Sequence, residues 1–134
     1  MKEFNQSIID EFRSNEGVVG GPFEGASLLL LRTIGAKSCL ARTNPLAYLR
    51  EDDQLIVIAS YAGAPSNPPW YYNLLANPEV RVEVGIEKFT ALASVVDEPD
   101  RSALYAKMAS VMPDFSKYQA KTSRIIPVVA LTRK

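Results

Sequence analysis

At 134 residues with 47% apolar side chains, the chain is long enough to bury one core without a disulfide or metal staple. Its 15 basic residues balance 15 acidic ones, so no global field draws it to nucleic acid, and any anion site must be local. Histidine is absent and Cys39 is the only cysteine, which excludes His-based catalytic triads, His-bearing zinc sites and a Cys-x-x-Cys metal pair.

In residues 4–12, Phe4, Ile8, Ile9 and Phe12 recur at helical spacing among polar side chains, which predicts an amphipathic helix. Gly17, Gly20, Gly21 and Pro22 then break it, so residues 1–22 read as an N-terminal helix and loop. The longest apolar run, Leu28 to Leu31, is far short of the roughly 20 residues of a membrane span and reads as a buried strand over 27–33. Strands are expected at 38–43, at 46–49 and, after the acidic turn of Glu51, Asp52 and Asp53, at 54–59. Residues 60–69 are rich in Gly, Pro, Ala, Ser and Asn and predict a loop, followed by a short helix over 70–76. A hairpin turning at Gly85 joins strands 80–84 and 88–96. A helix opens at 97–99, a short aromatic segment spans 115–118, and a last strand covers 125–131. The expected fold is mainly β with short helices, a small barrel of about six antiparallel strands. Without a repeat or long linker it forms one domain over 1–134. The lone cysteine and the absence of a leading signal pattern point to the cytoplasm, and the helix offers at most weak contact with a membrane surface.

Between residues 25 and 50, the four cations Arg32, Lys37, Arg42 and Arg50 stand with no carboxylate. Lys37 and Arg42 sit one strand-length apart across a turn, which makes the stretch a candidate anion site; the alternative is a solvated strand face. Residues 54–78 carry no charge, yet they hold Tyr61, Trp70, Tyr71 and Tyr72 in mostly loop sequence. A neutral, aromatic, Gly/Pro-rich loop suits the wall of a cavity for a flat ligand, or packs as a small apolar cluster of its own. Together the two stretches favour a ligand with an anionic tail and a planar head.

The run Asn67-Pro68-Pro69-Trp70-Tyr71-Tyr72-Asn73-Leu74 followed by Ala76-Asn77-Pro78-Glu79-Val80 resembles the signature of the deazaflavin (coenzyme F420)-dependent nitroreductase and quinone reductase family. Similarity extends through Gly20-Gly21-Pro22-Phe23-Glu24-Gly25, Gly35-Ala36-Lys37-Ser38, Arg42, Asn44-Pro45-Leu46-Ala47-Tyr48 and Arg124-Ile125-Ile126-Pro127-Val128-Val129. The resemblance implies an FMN-binding-like split β-barrel and coenzyme F420 as cofactor. It implies hydride transfer from the reduced coenzyme to an electron-poor small molecule: a quinone, enone or nitroaromatic. On this reading Lys37 and Arg42 hold the coenzyme's phosphate and tail region, and Asn44 and Pro45 also bind the coenzyme. Ala59, Ser60, Tyr61, Ala62, Gly63, Ala64, Asn67, Pro68, Pro69, Trp70 and Asn73 follow its ring, although Trp70 taken alone reads as a core residue. Ser60 is the candidate hydrogen-bond donor and Tyr118 the candidate for acceptor contact and proton delivery, with water as the competing proton source, and Met112, Phe115 and Tyr118 form the acceptor wall. The alternatives are a flavin mononucleotide-binding split barrel and a non-catalytic deazaflavin carrier. No metal and no nucleic acid are expected, and exposed barrel edges are compatible with a homodimer.

Five positions depart from the usual pattern. Cys39 and Ala62 stand where glycines are common, Tyr61 and Ser66 are neutral where Lys or Arg often occurs, and Met112 replaces a Tyr of some relatives.

Overall fold

The computed structural model describes residues 2–17 and 27–134, with the side chains of residues 2–5 and of Ala62 excepted. The motif at residues 20–25 lies outside the described part, as does the side chain of Phe4. The elements in chain order are α1 (Lys2–Ser14), β1 (Leu28–Ile34), β2 (Ala41–Ala47), β3 (Leu49–Glu51), β4 (Gln54–Ile58), a 3-10 turn (Tyr61–Gly63) and α2 (Pro69–Ala76). They continue with β5 (Glu79–Val84), β6 (Glu87–Val95), α3 (Asp100–Val111), α4 (Asp114–Lys121) and β7 (Val128–Arg133).

All seven strands join one antiparallel sheet in the order β2-β1-β5-β6-β7-β4-β3. Its two edge strands are consecutive in the chain, separated by Tyr48 alone, so the sheet curls until its edges meet at a corner. The result is the expected split barrel, its seven strands in keeping with the segments read from the sequence.

The apolar run at the start of β1 is buried on both faces because each face has its own cover. Leu29 and Leu31 point into the barrel with Leu55, Val57, Val80, Val82, Val129 and Leu131, where α2 adds Trp70 and Leu74. Leu28 and Leu30 face outward and are covered by Ile8, Ile9 and Phe12 of α1. On the far side, Ile56, Ile58, Val128 and Ala130 face outward under Tyr105, Met108 and Phe115 of α3 and α4. Full burial of each such side chain contributes about 1.5–3 kcal/mol. The apolar face of α1 is therefore spent on β1, which argues against the membrane-surface contact considered above. No helix among the described residues is long and apolar enough to cross a membrane.

Two devices fix α1 to the sheet. Arg13 donates to both carboxylate oxygens of Glu83, Nε at 3.2 Å and Nη2 at 2.7 Å, and this bonding holds the Glu83 carboxyl below its ordinary range despite the opposing effect of burial. Just beyond the helix, Gly17 (φ +93°) lies against the β5–β6 turn so closely that a Cβ there would stand 2.6 Å from the Gly85 Cα.

Several boundaries differ from expectation. The strand predicted at 38–43 starts only at Ala41, because residues 35–40 close a turn in which the Gly35 N–H donates to the Leu40 carbonyl at 2.8 Å. That strand runs on through Pro45 to Ala47 and absorbs much of the segment predicted at 46–49. An edge strand tolerates Pro45 because its N–H side needs no partner. The aromatic segment 115–118 lies within α4, and the last strand begins three residues later than predicted.

Candidate functional site

A cleft of about 1090 Å³ opens where the turn between β1 and β2 meets the N-terminal part of α2. Among the described residues its lining contains Lys37 and Arg42 and no carboxylate. Neither cation takes part in any ion pair among the described residues. Opposite them the wall is neutral, formed by Asn67, Pro69, Trp70, Tyr72 and Asn73, and α1 contributes Gln6 and Ile9. Register explains the convergence. Arg42 pairs with Thr33 and Asn44 with Leu31, so both side chains share the interior face of the sheet that α2 closes.

Asn73 fastens the two walls together. Its amide nitrogen donates to the Thr33 hydroxyl at 3.1 Å and its amide oxygen accepts from the Ala36 N–H at 3.0 Å. The turn that carries Lys37 is thus pinned to α2 by a buried side chain. Cys39, in the same turn, has φ +58°, a left-handed conformation that a glycine adopts without strain.

Residues 59–67 form a second centre beside the cleft. The half-buried Arg124 guanidinium donates to the carbonyls of Ala64 (2.8 Å), Ala59 (3.1 Å) and Ser60 (2.6 Å) and to Asn67 Oδ1 (2.8 Å). Within this loop Tyr61 takes φ +48° and Gly63 φ +77°, and a Cβ on Gly63 would meet the Tyr118 carbonyl at 2.8 Å, so the loop lies directly on α4. Ser60 is nearly buried and its hydroxyl makes no capping bond to the turn. Burial, followed by the nearby Asp114 charge, raises the Tyr118 phenol above its ordinary range and keeps it protonated at neutral pH.

Of the residues singled out in the sequence, Lys37, Arg42, Asn44, Asn67, Pro69, Trp70 and Asn73 line the cleft. Trp70 does so while 4% exposed and packed in the barrel core, so it serves both readings. Ser60, Tyr61, Gly63 and Ala64 gather instead at the loop held by Arg124 and α4, with Tyr118 beneath. The Ala62 side chain lies outside the described part. Pro45 alternates away from Arg42 and Asn44, Pro68 is buried at the start of α2, and Ala59 is in the core. Phe115 is also core, edge-on to Tyr105 and Tyr118 at 6.3 and 5.4 Å, and Met112 packs against the same cluster. These last five do not line the cleft. Asn67 bridges the two centres, since it lines one and accepts from the clamp of the other. Arg124 was not among the expected site residues; its only sequence signal is the segment Arg124-Ile125-Ile126-Pro127, whose partners lie 57 to 65 residues away.

The cleft sets two cations against a neutral aromatic and amide wall, with no carboxylate among its described lining residues, a donor set compatible with a ligand that has an anionic tail and a neutral planar head. A family model described as F420H(2)-dependent quinone reductase matches residues 5–133. The F420H(2)-dependent quinone reductase Rv1261c of Mycobacterium tuberculosis (strain ATCC 25618 / H37Rv) is 40% identical over 129 residues, covering 92% of this chain and 85% of that protein. Among solved structures, the F420-H2 dependent reductase FDR-A superposes with a TM-score of 0.72 at 33% identity, over 78% of this chain and 93% of that one. A domain-swapped dimer superposes with a TM-score of 0.73 at 30% identity, over 97% and 96%. With a split barrel, a family model that matches nearly the whole chain and relatives of this similarity, the chain belongs to the F420H(2)-dependent quinone reductase family.

Proposed function

We propose that the protein is an oxidoreductase that passes a hydride from reduced coenzyme F420 to a quinone. The observation that carries this reading is the cleft itself: among the described residues, two cations free of ion pairs stand at one wall, a neutral aromatic and amide wall stands opposite, and no acid lies between. Family membership and the similarity to Rv1261c and FDR-A support it.

When bound, the reduced coenzyme supplies the hydride from its ring carbon. Lys37 and Arg42 bind the anionic tail through charge-assisted hydrogen bonds, and Asn44 extends that wall. Asn67, Pro69, Trp70 and Asn73 orient the neutral head and exclude water from it. The Ser60 hydroxyl, left without a capping partner, donates to oxygen as negative charge develops there. The Tyr118 phenol remains protonated well above neutral pH and can deliver a proton. Similarity to a domain-swapped dimer supports self-association of this chain, which light scattering on the eluting protein tests.

The decisive experiment is a titration with F420 and with flavin mononucleotide, followed by turnover with reduced F420 and menadione. Binding of F420 with oxidation by menadione is expected. Binding of flavin mononucleotide alone, or F420 binding without any acceptor-dependent oxidation, overturns the proposal in favour of a flavoprotein or a coenzyme carrier.

A further inference from the structure

We infer that Arg124 is the positioning residue of the loop of residues 59–67 that borders the coenzyme cleft, acting through the backbone rather than by touching the ring. The inference rests on the F420 reading above and deepens it. A single guanidinium holds four acceptors spread over residues 59–67, three of them main-chain carbonyls, and pairs with no carboxylate among the described residues. A cation kept half-buried among neutral acceptors costs desolvation that a merely decorative arginine would avoid.

The consequence for the loop follows from peptide geometry. The Ala59–Ser60 and Ser60–Tyr61 peptides are trans and planar, so drawing their carbonyls toward Arg124 turns the N–H groups of Ser60 and Tyr61 the opposite way. The same bonds flank Tyr61, a bulky residue at φ +48°, in a conformation that the free chain disfavours. Below the loop, α4 supplies the other support at Gly63, and Gly63 and Ala64 close the turn by donating to the Ser60 and Tyr61 carbonyls at 2.9 and 3.0 Å. Arg124 thereby fixes which way the loop's donors and the Ser60 side chain face, while Asn67 carries the same restraint into the cleft. Lysine cannot substitute, because one ammonium point lacks the planar fork that spans four acceptors.

The test uses the full chain with Arg124→Lys and Arg124→Ala. Wild-type protein must first bind F420; if it does not, the functional proposal fails and not this inference. Given that binding, Arg124→Lys is expected to remain folded by circular dichroism and to lose F420 affinity at least tenfold. In the coenzyme-free protein its amide exchange should quicken at Gly63 and Ala64 while β5 and β6 stay protected. Free guanidinium ion in the low millimolar range should restore several-fold of the affinity lost by Arg124→Ala and leave wild type unchanged. Affinity within twofold of wild type in Arg124→Lys, unaltered exchange at Gly63 and Ala64, or unfolding of the lysine variant would each overturn the inference, the last by assigning Arg124 to general stability.

Discussion

Asn73 offers a sharp test of how the cleft is built, because one buried amide joins α2 to both β1 and the Lys37 turn. Asn73→Leu keeps much of the volume and removes both bonds, leaving the Ala36 N–H and the Thr33 hydroxyl without that partner. Two neutral hydrogen bonds at about 1 kcal/mol each give a loss of about 2 kcal/mol. An unfolding entropy of about 2.1 cal/mol/K per residue makes that a fall in melting temperature of about 7 °C for a chain of this length. Asn73→Asp behaves differently. It still accepts from the Ala36 N–H and from a reoriented Thr33 hydroxyl, but it places a carboxylate in a lining that has none among the described residues. Its F420 affinity should fall tenfold or more, about 1.4 kcal/mol, through repulsion of the anionic tail. Thermal melts of the coenzyme-free protein and fluorescence titration with F420 separate the two effects. A melting temperature for Asn73→Leu within 2 °C of wild type, or equal F420 affinity in Asn73→Asp, would refute the staple or the anion cleft respectively.

Lys37→Ala and Arg42→Ala should each weaken F420 binding by roughly tenfold to a hundredfold, the equivalent of a charge-assisted hydrogen bond, with little change in the melting temperature of the coenzyme-free protein. Ser60→Ala and Tyr118→Phe are expected to slow steady-state turnover about tenfold to a hundredfold without abolishing it. Since burial raises the Tyr118 phenol, the wild-type rate should show no loss attributable to it below about pH 10. Cys39→Gly should raise stability by up to about 1 kcal/mol, because φ +58° costs a cysteine more than the added unfolded-state freedom costs a glycine; a lower denaturation midpoint would contradict this. Glu83 has a depressed carboxyl, so its contribution is present above the unfolded carboxylate value near about 4.3 and is lost as pH falls through the lower folded value. Arg13→Ala should therefore be less stable than wild type by about 0.5–1 kcal/mol at pH 7, given the half-exposed Arg13, with the gap closing in acid.

Much of this architecture is legible in residue pattern. The alternation of valines with charges in β5, together with Gly85, marks the hairpin, and the carboxylate-free run of cations marks one wall of the cleft. Cys39 hides the turn that delays β2, because its residue type argues against the left-handed conformation it adopts. Phe115 and Tyr118 look equivalent as aromatics three residues apart on one face of α4, yet the first is buried in the core and the second covers its edge and stays partly open. Arg124 is illegible for a different reason. Its acceptors are backbone carbonyls, which every residue type possesses, so nothing in residues 59–67 announces a guanidinium partner.

The final strand does not lie at an edge: β7 is wedged between β6 and β4. Until residues 128–133 arrive, β4 and β3 have no hydrogen-bonded link to the remainder of the sheet, and the segment just before them supplies Arg124. A nascent chain emerging from the ribosome therefore cannot zip up as it is made. Closure of the sheet waits for residues 128–133 to emerge, and deleting that strand should be far more damaging than deleting as many residues from α1.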